Sequence, residues 1–223
     1  AVGQAMLFSR KQRLEEGVYL RDNAVWLTNP MGSREVLPLA DIQIPGVHNI
    51  ENYMAAIAAV DGIVPDKCVR AVAQRFTGVE HRIELVRELD GVKYYNDSIG
   101  TSPTRTMACQ DSFDQKLIII AGGYDKGVPF TQLGMAMVEK VKVLILTGDT
   151  APAIRQAVEE AEGYAESGLR IIETEDLAAA VAAARDAARE GDVVVLSPAC
   201  AAFDRFKNFM ERGKVFKRLV SEL

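Results

Sequence analysis

The chain of 223 residues is short of several things that simple function classes require. It has three cysteines, Cys68, Cys109 and Cys200, far apart and without CxxC or Cys/His spacing. That pattern supports neither a disulfide framework nor a thiolate metal site, and fits reduced thiols of a cytosolic protein. No apolar run approaches the ~20 residues of a membrane-spanning helix. The N-terminus has no charged start followed by an apolar core, so no signal peptide is expected. Basic blocks are absent, and 26 Lys and Arg against 31 Asp and Glu leave a formal net charge of −5. A nucleic-acid or anionic-membrane surface is therefore not expected as the main partner, although a local basic pocket for a small anion remains compatible. A GxxxxGK[ST] phosphate loop occurs nowhere.

What is present is an ordinary globular composition, 48% apolar and 26% charged, able to bury a sizeable core. The length suggests one complete domain plus a smaller or partial one, and Ala1 in place of Met suggests a piece of a longer protein. Residues 5–40 hold short extended candidates, "GVYL" (17–20) and "AVWLT" (24–28), separated by the turn-prone "RDN" (21–23) and "NPMGS" (29–33). In "IPGVHNIENYMAAIAAVDGI" (44–63), Ile50, Met54, Ile57 and Val60 recur at helical spacing after a Pro-Gly start. "DKCVRAVAQRF" (66–76) reads as a second short helix.

Beyond "TGVEHR" (77–82) the texture changes. "IELVRELDGVKYYN" (83–96) reads as two strands around an Asp-Gly turn. The apolar runs "KLIIIAGG" (116–123), "KVLILTGD" (142–149), "LRIIETED" (169–176) and "DVVVLSPA" (192–199) then alternate with helical candidates near 130–140, 150–162 and 175–189. Near-continuous apolar strands alternating with helices predict an α/β domain, a Rossmann-like, doubly wound, mostly parallel sheet covered on both faces. The domain break is expected at about 80–83. Such a sheet binds ligands at the carboxyl ends of its strands, where this chain carries "GGYDKG", "TGDT", "ETED" and "SPACAAFD".

Each motif has a plain reading beside the functional one. "AGGYDKGVPF" (121–130) could bring backbone and Lys126 up to an anion, or be a tight strand-to-helix turn with a solvated lysine. In "LSPACAAFDRFKNFMERG" (196–213), small residues 199–202 could turn backbone N–H groups into a pocket. Phe203, Phe206 and Phe209 at spacing three could be a helix's core face, the reading favoured for Phe206. Residues 83–223 contain no histidine to activate Cys200, so a core thiol is expected there rather than a nucleophile. His81 and Arg82 in "EHRIE" (80–84) could clamp a phosphate or be a surface pair. Asn49 and Asn52 in "HNIEN" (48–52) could face a purine edge or cap a helix, capping being favoured on local grounds. "YYNDSIGTSPT" (94–104) is a polar strand-to-helix turn on local grounds.

Taken together and in this order, these five motifs resemble the Mur ligase family of peptidoglycan synthesis, across essentially the whole chain. The last motif favours the branch that adds D-glutamate. The resemblance implies that residues 1–82 are the C-terminal part of a central ATP-binding domain and that residues 83–223 are the C-terminal Rossmann-like domain. It implies a cytoplasmic, monomeric enzyme in which ATP phosphorylates the lactoyl-L-alanine carboxylate of UDP-N-acetylmuramoyl-L-alanine. The amine of D-glutamate then attacks the acyl phosphate. Asn49 and Asn52 would lie near the adenine, His81 and Arg82 on the phosphate side, and Asp97 at the ribose hydroxyls. Thr101, Lys126, Ala202, Phe203 and Phe209 would hold D-glutamate, with Lys126 pairing a carboxylate. The phosphate loop, the Mg2+ ligands, the modified lysine and the UDP-binding domain would all lie upstream, so this stretch alone is expected to be inactive, with no catalytic or metal-binding residue of its own. Two departures stand out. Ala202 occupies a position where the family often has Ser, and Ile99-Gly100 replaces a Lys-containing centre, with Arg105 as a candidate substitute. A different amino-acid ligase of the superfamily, a folylpolyglutamate-type ligase, or a non-catalytic Rossmann-like binding module are the alternatives.

Overall fold

The computed structural model describes residues 5–44 and 46–223; Pro45, half of the Pro-Gly pair expected to open the first helix, lies outside the described residues. The chain divides into two compact units, Ala1–Gly78 and Val79–Leu223.

In the first unit β1 (Phe8–Ser9), β2 (Gly17–Arg21), β3 (Ala24–Asn29) and β4 (Gly32–Pro38) form a sheet in that order. β2 and β3 are antiparallel, and the turn between them is Asp22-Asn23, both with positive φ (49° and 58°). Asp and Asn tolerate that conformation, and the mirror-image turn suits the strand twist. β4 begins at Gly32, inside the stretch that reads as a turn, because Val36 and Leu37 have a core to fill. A 3-10 turn (Leu39–Asp41) leads on to the helices α1 (Val47–Val60) and α2 (Asp66–Ala73). Met54 and Ile57 of α1 and Ala73 of α2 close over Val18, Val25, Leu27, Val36 and Leu37. Arg34 of β4 donates to Asp61 (2.7 Å) and Asp66 (2.9 Å), tying the strand to the segment joining the helices.

The second unit is a six-stranded sheet, β5 (Glu84–Leu89), β6 (Val92–Asn96), β10 (Val193–Leu196), β7 (Leu117–Ala121), β8 (Val141–Leu146) and β9 (Arg170–Glu173), in that spatial order. β5 pairs antiparallel to β6 through Asp90-Gly91, and every other pairing is parallel. The doubly wound sheet is as expected, and both its faces are buried. Leu117, Ile119 and Ala121 point to a layer with Cys109 of α3 (Pro103–Gln110), Leu133 and Met137 of α4 (Thr131–Lys140), and Ile154 and Val158 of α5 (Ala151–Glu159). Ile118 and Ile120 point the other way. They meet Leu177, Val181 and Ala184 of α7 (Leu177–Ala187) and Phe216 and Val220 of α8 (Phe209–Ser221). A short α6 (Tyr164–Ser167) precedes β9. Each fully buried Ile or Leu contributes roughly 1.5–3 kcal/mol, so the period-two alternation of these strands fixes their register.

Where α4 meets α5 the contact needs Gly134, because a Cβ there would overlap the carbonyl oxygen of Ala157. Gly134→Ala is a helix-favouring change by about 1 kcal/mol, but forcing the helices apart costs about 1–3 kcal/mol or more. The variant should therefore be less stable by about 1–2 kcal/mol in urea unfolding. A more stable variant would show that the crossing can relax.

Candidate functional site

The carboxyl ends of β6, β7, β8 and β10 converge, and their loops are sewn together by backbone bonds. Gly122 N–H donates to Pro198 O (2.8 Å), Tyr124 N–H to Ala201 O (2.9 Å), Thr147 N–H to Ala121 O (3.0 Å) and Thr150 N–H to Gly123 O (3.1 Å). This edge is also where backbone strain collects. His81, Ile83 and Ala199 are non-glycine residues at φ 68°, 47° and 59°, a conformation that a β-branched residue such as Ile83 rarely adopts.

Asp97 follows β6 directly and is 4% exposed. Ser197 Oγ donates to its Oδ2 (2.8 Å), and Ser197 in turn meets Thr106 Oγ1 (3.0 Å). Burial pushes the carboxyl up to about 6, against the opposing effect of the Ser197 hydroxyl. The folded value thus stands above the unfolded one of about 3.9. The native state keeps a proton that the unfolded chain releases, so Asp97 lowers stability as pH rises from about 4 through 6. Relative to the wild-type chain, Asp97→Asn should gain about 1–2 kcal/mol between pH 4 and 7, read from paired urea titrations. A gain already complete at pH 4 would contradict a raised Asp97.

His81 is 3% exposed. Its Nδ1 meets Asn96 Nδ2 (2.9 Å), and its N–H donates to Glu84 Oε2 (3.0 Å). Its Nε2 is buried without a hydrogen-bond partner, and desolvation holds the ring below its ordinary value. Arg82 beside it is exposed, with its charge favouring ionised Asp97. Glu80, His81 and Glu84 bring three ligand atoms within 4.8 Å of one another. The group does not fit a divalent cation, because Glu84 already accepts from Lys217 at one oxygen and from His81 N–H and Asn96 at the other.

Lys126 Nζ donates to Thr101 O (2.5 Å), so the loops after β6 and β7 meet at these two residues, with the lysine exposed. Ala202 is buried. Phe203 is 64% exposed and sets its ring against Tyr124 at 6.1 Å. Phe209 is half-buried and stands edge-on to His81 at 6.0 Å. The three phenylalanines do not share a helix. α8 starts at Phe209 because Asn208 caps it, accepting from Glu211 N–H (2.9 Å). Phe206 joins the core. Cys200 is buried, its thiol pushed up to about 11 by desolvation and bonded to Thr150 (3.1 Å), as a core thiol should be.

Asn49 and Asn52 stand on the first unit. Asn49 is buried and accepts from Asn52 Nδ2 (3.4 Å). Gly46 occupies the cap position of α1, so neither asparagine is its N-cap.

Reading the sequence missed Ser98, Ser197 and Arg212. Arg212 had a signal. It lies on the buried stripe of α8 with Phe216 and Val220, where a charge is out of place.

Among the described residues no helix is long and apolar enough to cross a membrane. Residues 81–200 match the family model described as "Mur ligase, glutamate ligase domain". The chain is 49% identical to UDP-N-acetylmuramoylalanine--D-glutamate ligase of Acetivibrio thermocellus, over 100% of this chain and 48% of that protein. The enzyme of the same name from Ruminiclostridium cellulolyticum is 45% identical over the same shares. The chain thus spans about half the length of the curated relatives it matches. Solved structures share the fold at low identity. A pseudomurein peptide ligase type C from Methanothermus fervidus has a TM-score of 0.63, with 11% identity over 95% of this chain and 42% of that one. MurF from Acinetobacter baumannii has a TM-score of 0.60, with 14% identity over 96% and 47%. Mycobacterium tuberculosis folylpolyglutamate synthase complexed with ADP also reaches 0.60, with 16% identity over 88% and 44%. The chain belongs to the Mur ligase family.

Proposed function

We propose that the full-length protein joins D-glutamate to UDP-N-acetylmuramoyl-L-alanine at the expense of ATP, and that this chain supplies the amino-acid site and part of the nucleotide site. The observation that carries the reading is the pairing of Lys126 with Thr101 beside the small-residue loop 199–202, at the carboxyl edge of the sheet. A dicarboxylate needs two grips. The exposed ammonium of Lys126 offers one, and the backbone N–H groups of Ala202 and Phe203 offer the other, in place of a serine hydroxyl. Thr101 and the Phe209 ring complete the D-glutamate contacts.

On the nucleotide side, Nε2 of buried His81, which lies 3.7 Å from Glu80 Oε1 but makes no hydrogen bond, could donate to a phosphate oxygen, with Arg82 as the bidentate donor. Asp97, already ordered by Ser197, would accept from the ribose hydroxyls. Such positioning supports a reaction in which ATP converts the substrate carboxylate to an acyl phosphate, the D-glutamate amine attacks, and the tetrahedral intermediate collapses to the amide with loss of phosphate. Residues 1–82 would belong to the central ATP-binding domain and 83–223 to the C-terminal domain of a cytoplasmic, monomeric enzyme. With no GxxxxGK[ST] loop in residues 1–223, this stretch alone would not turn ATP over. Among the described residues, the Glu80, His81 and Glu84 group does not suit Mg2+, and we assign the Mg2+ that accompanies ATP to ligands elsewhere in the protein.

The test is an amino-acid panel with the full-length protein, ATP and UDP-N-acetylmuramoyl-L-alanine. ATP-dependent phosphate release is expected with D-glutamate above all others. Preference for another amino acid would sink the assignment.

A further inference from the structure

One charged group takes no part in the reaction outlined above. Arg212 of α8 is 4% exposed, and among the described residues it forms no ion pair. Burial lowers its guanidinium to about 10, still charged at neutral pH. Its donors go to two loops at once. Nε donates to Ser98 Oγ (3.1 Å) and Nη2 to Ser98 O (3.0 Å), in the loop after β6 that carries Asp97 and Thr101. Nη2 also donates to Cys200 O (3.0 Å) and Nη1 to Ala201 O (3.2 Å), in the loop after β10 that leads to Ala202 and Phe203. Ser98 Oγ passes the tie on by donating to Phe209 O (2.7 Å), at the start of α8.

The bond to Ala201 O has a consequence one atom away. That carbonyl and the N–H of Ala202 belong to one planar peptide unit and point in opposite directions. Fixing the carbonyl on Arg212 therefore fixes the direction in which Ala202 N–H points, away from the guanidinium. Tyr124 N–H holds the same oxygen from the β7 loop, two residues before Lys126. The carboxylate of Asp97 takes its hydrogen bond from Ser197, at the end of β10, and not from Arg212.

We propose that Arg212 is a positioning residue for the amino-acid substrate, setting the Ala202 N–H at the right reach from Thr101 and Lys126 so that both carboxylates of D-glutamate are held together. The inference rests on the reading of this edge as the D-glutamate site. A planar guanidinium with five donors can serve both loops. A lysine ammonium, a compact charge with three donors, cannot span them.

The test is steady-state kinetics of the full-length Arg212→Lys protein, with melting temperature measured alongside. Ser98→Ala serves as a second, milder variant that deletes the relay to Phe209. Folded Arg212→Lys should show a KM for D-glutamate raised about tenfold or more and a KM for ATP within about threefold of wild type. Ser98→Ala should show the same split at smaller size. If either folded variant has a lowered melting temperature but wild-type KM for D-glutamate, or raises both KM values alike, Arg212 is only a structural brace and the proposal fails. Failure of the underlying site reading would look different, as wild-type protein that does not use D-glutamate.

Discussion

Gly122→Ala should be the most damaging single-methyl change in the second unit, costing roughly 2–6 kcal/mol of stability. Gly122 has φ 111°, in the region that L residues avoid, and an added Cβ would overlap the carbonyl oxygen of Thr147. Backbone strain of about 1–3 kcal/mol adds to overpacking of about 1–3 kcal/mol or more. Backbone cannot swing aside as a side-chain tip can, because Thr147 is held by its own N–H on Ala121 O. Domains of this kind have only about 5–15 kcal/mol in hand. The variant should be largely unfolded at mild urea concentrations where wild type is intact, and a midpoint shift worth less than 1 kcal/mol would contradict the packing described. Gly127 is the internal control. It also has positive φ (69°), but open space where a Cβ would go, so Gly127→Ala should cost only the strain, about 1 kcal/mol.

The comparison bears on what the double glycine is for. Read from the sequence, "GGYDKG" invites the idea of a loop thinned to let an anion approach. In the structure the neighbours that exclude a side chain are the protein's own, Thr147 O for Gly122 and Ala201 O for Gly123. These glycines let the β7, β8 and β10 loops close on one another.

The second large effect is kinetic. Lys126→Ala in the full-length protein should raise KM for D-glutamate on the order of 100-fold, as expected when one partner of a charge pair is removed from a desolvated contact. Its melting temperature should stay near wild type, because Lys126 is exposed and donates to a backbone carbonyl rather than to a charged side chain. Lys126→Arg should recover part of the loss, since charge survives while reach changes. Unchanged D-glutamate kinetics in Lys126→Ala would remove this residue from the site.

Much of this was legible because apolar pattern and turn chemistry act locally. The runs at 116–123 and 192–199 became β7 and β10, and Asp90-Gly91 became the expected hairpin turn. The motifs at 94–104, 122–127 and 196–213 lie at the carboxyl ends of β6, β7 and β10, whereas "HNIEN" (48–52) lies in α1. What was not legible depends on contacts remote in sequence. Asp97 and Ser197 stand 100 positions apart, and Ser98 and Arg212 stand 114 apart. No periodicity announces that a serine after one strand will serve a carboxylate after another. Of the spacing-three phenylalanines, Phe206 packs on the core as favoured, but they do not form one helix face. Asn208 caps α8 only at Phe209, so Phe203 is left at the surface beside Tyr124.

In the proposed reading, the loops after β6, β7 and β10 form one amino-acid site. Hydrogen–deuterium exchange of the full-length protein, with and without the product UDP-N-acetylmuramoyl-L-alanyl-D-glutamate, tests it most directly. Within the second unit, added protection should fall on residues 97–102, 122–127 and 198–204 together, and Lys126→Ala should weaken it in all three. Protection confined to other segments of the unit, such as α4 and α5, with these three loops unchanged, would contradict it.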